Sequence, residues 1–330
     1  MRGRIEERMK KALLVRFGGL GDLLVALPSI RLIRGKYPDA RLTLACRGEY
    51  GALLQETGVV DEIIPEDSLR LLPLFSEAPT AETEGRERLG SFDLIMGWTH
   101  GQKGYFSKRA RAAAARTGEI HFIHINPQES GPLNRFFFRK TAEILGGGGA
   151  LSIDEWAYLP TGRLQRALGS EGIVVGMKKK RGAVVHPGSG SESKRWPLEN
   201  FLRIIGRLGE RGVAGALATG EAEERMAAEI ERAALPHNWS WVRRPGLTAL
   251  ASLLSETSLY LGNDSGVTHL AAACGAEVVA LFRREYASAW APLGRVHLHI
   301  ADSLAEISPE SVWETVASRL PNFSADSQNC

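Results

Sequence analysis

Four segments of this 330-residue chain follow apolar runs and carry side chains suited to ligand binding or acid–base chemistry. The first, RFGGLGD (residues 16–22), ends in Asp22 at the start of a stretch with helical spacing. Its glycines allow a tight turn, but it has neither the GxGxxG spacing of dinucleotide-binding proteins nor the lysine of a P-loop. Asp22 is therefore either a helix-capping residue or a general base at the carboxyl end of a strand, and the spacing leaves both open.

The second segment, HPGSGSESKRWP (residues 186–197), combines Ser189 and Lys194 with further glycines and serines. Backbone N–H groups, hydroxyls and a lysine can hold a phosphate without Walker spacing. The Trp-Pro pair predicts that a helix starts next. An ordinary exposed loop has a similar composition, so the phosphate site is one of two open interpretations.

The third segment, GNDSGVTHLAAACG (residues 262–275), predicts a turn followed by a helix. The N–H groups of a first helical turn lack partners within the helix and attract phosphate. Asp264, Ser265 and Gly266 also suit the turn as capping residues. Because His269 adds another polar side chain in the first turn, we favour a ligand site over capping alone.

The fourth segment, TGEAEER (residues 219–225), places Glu221, Glu223 and Glu224 directly after a predicted strand. Acidic residues at the start of a helix complement its dipole. In nucleotide-binding α/β domains, an acidic residue near a strand end can instead accept both ribose hydroxyls. The sequence leaves both interpretations open.

Alternating strand and helix patterns position these segments. Apolar runs of strand length are followed by helical periodicity, which predicts parallel sheets covered by helices on both faces. The pattern breaks around residues 160–181 and then restarts. We therefore predict an α/β fold of two Rossmann-like domains, residues 1–165 and 166–330, whose last helix can return to the first domain. The predicted strands are residues 12–17, 41–46, 61–65, 92–96, 121–125, 183–186, 213–219, 258–262 and 277–282.

Composition excludes several classes of protein. The chain is 44% hydrophobic, 24% charged and 7% aromatic, which argues against global disorder, coiled coil and collagen. A net charge of +3 is too small to indicate a nucleic-acid partner. Cys46, Cys274 and Cys330 form no CxxC spacing, so neither a disulfide framework nor a Cys/His metal site is expected. No apolar stretch approaches the ~20 residues of a membrane span, and we expect a cytoplasmic protein.

Taken together and in order, the four segments make the chain resemble glycosyltransferase family 9, the ADP-heptose:lipopolysaccharide heptosyltransferases. The similarity runs from VRFGGLGDLLVALPSIRLIRGKYP through HPGSGSESKRWP and TGEAEER to YLGNDSGVTHLAAACG. It implies the GT-B architecture, in which two Rossmann-like domains with parallel sheets face each other across a cleft. The acceptor would then bind to the first domain and the ADP-sugar to the second.

The resemblance also implies roles for individual residues. Asp22 stands at the catalytic-base position, while Asp264 and His269 match residues that contact the donor sugar and its phosphate. The ribose acid would be Glu224, with Glu221 and Glu223 as the alternatives. Residues expected on the donor phosphates are Lys194, Ser189, Ser265 and Gly266.

Acceptor recognition is expected in the first domain. GQKGYFSKRARAAAAR and NRFFFRK place cations beside aromatic residues, where they could meet a phosphorylated or carboxylated glycolipid at the inner face of the inner membrane. Solvated faces of ordinary amphipathic helices give the same pattern. We assign no counterpart in the family to the polar segment 66–90. Candidate acceptor-binding residues are Gly19, Lys103, Arg109 and Arg135.

The implied reaction is a single displacement at the anomeric carbon that inverts its configuration. Asp22 would take the acceptor proton, while Lys194 and the helix starting at Gly266 would stabilise the leaving ADP. Domain closure would exclude water. Since no DxD-like pair is placed to hold a divalent ion, we expect no metal cofactor, with the ADP-sugar as a co-substrate.

Two other functions are compatible with such a fold. A nucleotide-sugar epimerase of similar build would act on the donor without an acceptor. A non-catalytic nucleotide-binding module would bind ADP without sugar turnover. A dehydrogenase is disfavoured because the first segment lacks GxGxxG.

Overall fold

The computed structural model describes residues 9–69, 71, 89–99, 105–113, 118–125, 131–147, 151–166 and 182–320. The chain divides into two compact units, Met1–Pro160 and Thr161–Cys330, so the division falls five residues before the predicted one. Most of the polar segment 66–90 and of the expected linker lies outside the described residues.

The first unit contains a five-stranded parallel sheet in the order β3-β2-β1-β4-β5. Strand β1 is buried over four consecutive residues, as expected for a strand covered on both faces. The strands are β1 (Lys11–Val15), β2 (Arg41–Cys46), β3 (Glu62–Pro65), β4 (Leu94–Thr99) and β5 (Glu119–His124). The helices are α1 (Leu20–Lys36), α2 (Gly48–Glu56), α3 (Tyr105–Ala113) and α4 (Leu133–Ile144).

The second unit contains a six-stranded parallel sheet in the order β11-β10-β9-β6-β7-β8. Its strands are β6 (Ala183–His186), β7 (Gly215–Thr219), β8 (Trp239–Arg243), β9 (Leu259–Asn263), β10 (Glu277–Arg283) and β11 (Val296–Ala301). Its helices are α5 (Leu198–Glu210), α6 (Ala227–Ala233), α7 (Leu247–Ser255), α8 (Gly266–Ala273), α9 (Arg284–Trp290) and α10 (Pro309–Arg319). The predicted α/β class with two Rossmann-like domains is confirmed.

One cluster of apolar side chains forms a core of the second unit. Trp196 and Phe201 meet edge to face with ring centroids 5.0 Å apart, and the Trp196 indole N–H donates to the Ile307 carbonyl (2.9 Å). Val312 and Trp313 of the last helix, α10, lie in the same core. Helix α10 therefore packs within the second unit, and a return of the last helix to the first domain stays a prediction.

Three elements differ from their sequence predictions. Strands β8 (WSWVR) and β11 (VHLHIA) were not predicted, because each interrupts its apolar residues with serine, arginine or histidine. Both lie at the edges of the sheet, where one side of the strand lacks a paired neighbour. The single helix predicted for EAEERMAAEIERAAL is a 3₁₀ segment at 221–226 followed by the shorter α6.

Strand order identifies where each sheet changes direction of winding. In the first unit the change lies between β1 and β4, and in the second between β6 and β9. Ligands of open α/β sheets bind at the carboxyl ends of the strands at such points. Among the described helices, none is both long enough and apolar enough to cross a bilayer.

Candidate active site

Asp22 lies in the first turn of α1, immediately after the glycine turn that follows β1. Its Oδ2 accepts a hydrogen bond from the N–H of Gly19, the N-cap residue, at 2.9 Å. Gly18 before it has φ +117°, a conformation that L side chains rarely adopt. Asp22 therefore does cap the helix, and about a quarter of its side chain (23%) remains exposed.

A buried arginine at the end of β1 holds the other side of the same carboxylate. Arg16 is 2% exposed, and its Nη2 lies 2.8 Å from Asp22 Oδ1. Burial lowers the pKa of Arg16, and the charge of its ion-pair partner Asp22 opposes that shift. Sequence reasoning did not single out Arg16, although a lone charge at the end of an apolar run was a visible signal.

At the corresponding position of the second unit, two loops meet through an ion pair. Lys194, in the loop after β6, lies with its Nζ 2.7 Å from Oδ2 of Asp264, which follows β9. The same ammonium lies 3.7 Å from the centre of the Tyr286 ring in α9. The Asp264 side chain is 8% exposed and that of Lys194 24%, so the cation is the more accessible partner. Sequence reasoning missed Tyr286.

Hydrogen bonds fix these two loops to each other. The Ser189 hydroxyl donates to the Asp264 carbonyl at 2.8 Å, and the Asn263 amide donates to the Pro187 carbonyl at 2.8 Å. The Asn263 side-chain oxygen accepts from the backbone N–H of Trp196 at 3.0 Å. The two loops for which the sequence suggested phosphate binding are thus joined by hydrogen bonds at the change of winding.

Helix α8 begins where these two loops meet. Ser265 is its N-cap and accepts from the Thr268 N–H at 3.4 Å, and Gly266 is its first residue. Thr268 and His269 are both buried in the first turn. The arrangement places a helix N-terminus beside the Lys194 ammonium, and both favour an anion.

The glutamates after β7 have separate environments. Glu223 is 4% exposed, and its Oε2 accepts from the Gly220 N–H at 2.8 Å. A Cβ atom on Gly188 would lie 2.4 Å from Glu223 Oε1 and 2.7 Å from His186 Nε2, so these three residues are closely packed. Burial lowers the pKa of His186, against the opposing effect of the Glu223 charge and the Ala218 carbonyl.

Glu224 is held by two arginines. It lies 2.9 Å from Arg243 Nη2 and 2.8 Å from Arg244 Nε, at the end of β8. Desolvation acts to raise the pKa of Glu224, but the two arginines outweigh it and the pKa lies below its usual range. Glu221 is exposed. The ribose role expected for Glu224 or Glu221 stays a prediction.

The candidate acceptor residues are only partly described. Lys103 lies outside the described residues, and of Arg109 the structure gives only the backbone, in α3. Arg135 is exposed on α4 and borders a cavity of about 580 Å³ together with Phe136 and Arg139. Among the described residues, no group of three His, Cys, Asp or Glu side chains could hold a metal ion.

Comparisons with known proteins bear on the identity of this site. A family model described as "Glycosyltransferase family 9 (heptosyltransferase)" matches residues 157–314, which includes the loops after β6 and β9 and the start of α8. Lipopolysaccharide heptosyltransferase 3 of Escherichia coli is 21% identical over 294 residues, 82% of this chain and 83% of that protein. The resemblance to glycosyltransferase family 9 is confirmed, and the chain is a glycosyltransferase.

Solved structures of heptosyltransferases share the fold of this glycosyltransferase. A family 9 glycosyl transferase from Veillonella parvula superimposes with a TM-score of 0.72 at 16% identity, covering 94% of this chain and 97% of that one. Escherichia coli heptosyltransferase WaaC with ADP gives 0.70 at 17% identity, covering 94% and 99%. The predicted GT-B class is thereby confirmed. The cleft between facing sheets and the roles of single residues stay predictions.

The glycine turn of this glycosyltransferase gives a testable prediction. Gly18→Ala should lower the free energy of unfolding by about 1–3 kcal/mol, because alanine is strained at positive φ. Its Cβ would also lie 2.8 Å from Asp22 Oδ2. The matched control is Gly19→Ala, whose φ is −79° and whose Cβ would lie 3.5 Å from the same oxygen. Urea unfolding measures both, and equal losses would contradict the strained turn.

Proposed function

We propose that this glycosyltransferase moves a heptose from an ADP-sugar to a hydroxyl group of the lipopolysaccharide inner core, with inversion at the anomeric carbon. The observation that carries the proposal is the ion pair between Lys194 and Asp264, two residues before α8 begins, within the segment that matches the family model. A cation and unpaired helix N–H groups together suit a diphosphate. The names of the compared proteins specify heptosyl transfer, lipopolysaccharide and ADP.

In this proposal the donor diphosphate competes with Asp264 for Lys194. The ammonium is already held at the site by Asp264 and Tyr286, so little side-chain entropy is lost when phosphate oxygens reach it. Ser265 and Gly266 contribute hydroxyl and N–H groups, while Asp264 and His269 face the sugar. Ser189 acts mainly by fixing the loop, since its hydroxyl donates to the Asp264 carbonyl.

On the acceptor side, Asp22 serves as the general base. Its pairing with Arg16 favours the ionised carboxylate, which is the form able to take a proton. Gly19 and Arg135 would contact the acceptor, and the basic and aromatic residues of α4 would meet anionic glycolipid at the inner membrane surface. We place the reaction in the cytoplasm on this basis.

Replacing the base tests the proposal. With ADP-heptose and a lipopolysaccharide-core acceptor, Asp22→Asn should lower kcat by roughly 10²–10⁴, the usual contribution of a general base. ADP affinity, measured by titration calorimetry, should stay unchanged because the phosphate-binding residues lie in the second unit. Mass spectrometry of the product identifies the transferred sugar. Turnover of UDP- or GDP-sugars in preference to ADP-sugars would refute the donor assignment, and conversion of donor without acceptor would indicate an epimerase.

Removing the candidate phosphate ligand should weaken the donor site. Lys194→Gln should reduce ADP affinity by about 10- to 100-fold, because a hydrogen bond to a charged group contributes about 1.5–3 kcal/mol. Lys10→Gln removes the same charge at an exposed position before β1 and serves as the control. Equal affinities of the two variants for ADP would argue against the phosphate site.

We also propose that transfer needs no metal ion, since Lys194 and the α8 terminus supply the positive charge that a divalent ion would otherwise provide. Initial rates should be the same with 5–10 mM EDTA as with magnesium, as is expected when charge is neutralised by the protein. A rate abolished by EDTA and restored by magnesium would contradict this.

A further inference from the structure

We propose that Arg16 is a positioning residue for the transfer reaction: it holds the Asp22 carboxylate ionised and aimed in one direction. The inference rests on the proposed role of Asp22 as the general base. It is carried by the way in which one buried guanidinium binds both the side chain and the backbone of that residue.

Arg16 donates two hydrogen bonds to Asp22. Its Nη2 donates to Asp22 Oδ1 at 2.8 Å, and its Nε donates to the Asp22 backbone carbonyl at 2.8 Å. Two contacts from one planar group define the carboxylate's position relative to the helix backbone, as a lysine ammonium would not. The Gly19 N–H fixes the remaining oxygen. Both oxygens of the proposed base therefore have a set orientation before substrate binds.

The guanidinium is itself fixed by two other elements of the first unit. Its Nη1 donates to the Trp98 carbonyl in β4 at 3.0 Å, across the change of winding from β1. Its central carbon lies 5.5 Å from the centre of the Phe137 ring in α4. The Trp98 indole in turn donates to the Thr141 hydroxyl at 3.1 Å, which links β4 to α4. Asp22 is thus braced by the sheet and not only by its own helix.

Helix capping alone does not account for this arrangement. The capping contact is made by Oδ2, whereas Arg16 holds Oδ1. Burying a guanidinium removes its hydration, and an ion pair offsets that cost only with good geometry. At this third helical position a neutral glutamine could accept the same Gly19 N–H without a buried charge beside it. The ion pair to Oδ1 therefore adds what capping does not require, a fixed negative charge at position 22, which a general base needs.

The charge of Arg16 also affects the pH range in which Asp22 can act as a base. A neighbouring cation favours the ionised carboxylate, so the base stays deprotonated and active to lower pH. Without Arg16, the carboxylate binds its proton more tightly, and activity is lost at a higher pH as the solution is acidified.

The test compares Arg16→Met and Arg16→Lys with the parent enzyme and with a matched control. Arg31→Met removes a half-buried arginine of the same unit that donates to the Glu155 and Tyr158 carbonyls and lies over Trp156. Initial rates are measured from pH 5 to 9, with kcat and KM for both substrates. Thermal unfolding and ADP titration establish that each variant is folded.

Arg16→Met should move the acidic limb of the kcat profile to higher pH and lower kcat at its plateau by about 10²-fold, with KM for the donor unchanged. Arg16→Lys should keep the acidic limb at its parental pH, because the positive charge remains. It should recover only part of kcat, because lysine does not form both hydrogen bonds to Asp22. Arg31→Met should show neither effect. An unshifted limb in a folded Arg16→Met enzyme would overturn the inference.

A double mutant separates this inference from the proposal beneath it. If Arg16 acts through Asp22, then Arg16→Met should cause little further loss of kcat in an Asp22→Asn background. Additive losses would mean that Arg16 acts independently and would refute the positioning role. Should Asp22→Asn alone retain near-parental turnover, the base assignment itself fails, whatever the Arg16 variants do. Should Arg16→Met not fold, Arg16→Lys and its double mutant with Asp22→Asn carry the same comparison.

Discussion

Each parallel sheet has one point at which the strand order reverses, and the positions of the candidate site residues depend on that point. The loops after β6 and β9 leave neighbouring strands in different directions, so their ends diverge and expose the carboxyl edge of the sheet. Lys194 and Asp264, 70 residues apart, meet at that edge. The same geometry between β1 and β4 gives Asp22 its position in the first unit. In both units the order of the strands determines where the candidate residues lie, and the residue types then determine what they can bind.

Buried charge is the second feature that the two units share. A carboxylate removed from water is costly unless a cation and hydrogen bonds replace its hydration. Asp22 has Arg16, and Asp264 has Lys194. The two pairs differ in exposure, however: the Arg16 side chain is 1% exposed and that of Lys194 24%. A buried arginine suits a permanent support, whereas an accessible lysine suits exchange between an aspartate and an incoming anion.

Much of this could be predicted from sequence, because continuous apolar runs and glycine turns are local signals. They predicted the strands near Asp22, Lys194 and Asp264 and the start of α8. Edge strands β8 and β11 were missed because polar residues interrupt their apolar pattern. Arg16 and Tyr286 were missed for another reason: their importance depends on contacts with residues that no local pattern brings near. Likewise, no local pattern predicted that Glu224 is paired with Arg243 and Arg244, which lie 19 and 20 positions away in the sequence.

The two interpretations of Asp22, helix cap and general base, turn out to be compatible. A base is most effective when its carboxylate does not have to be ordered as the substrate arrives. The capping contact to Oδ2 and the ion pair to Oδ1 impose that order through the fold itself. The residues that stabilise the start of α1 would then also prepare the reactive group. A capping aspartate at the carboxyl edge of a parallel sheet therefore becomes a stronger candidate base when a buried arginine holds its second oxygen.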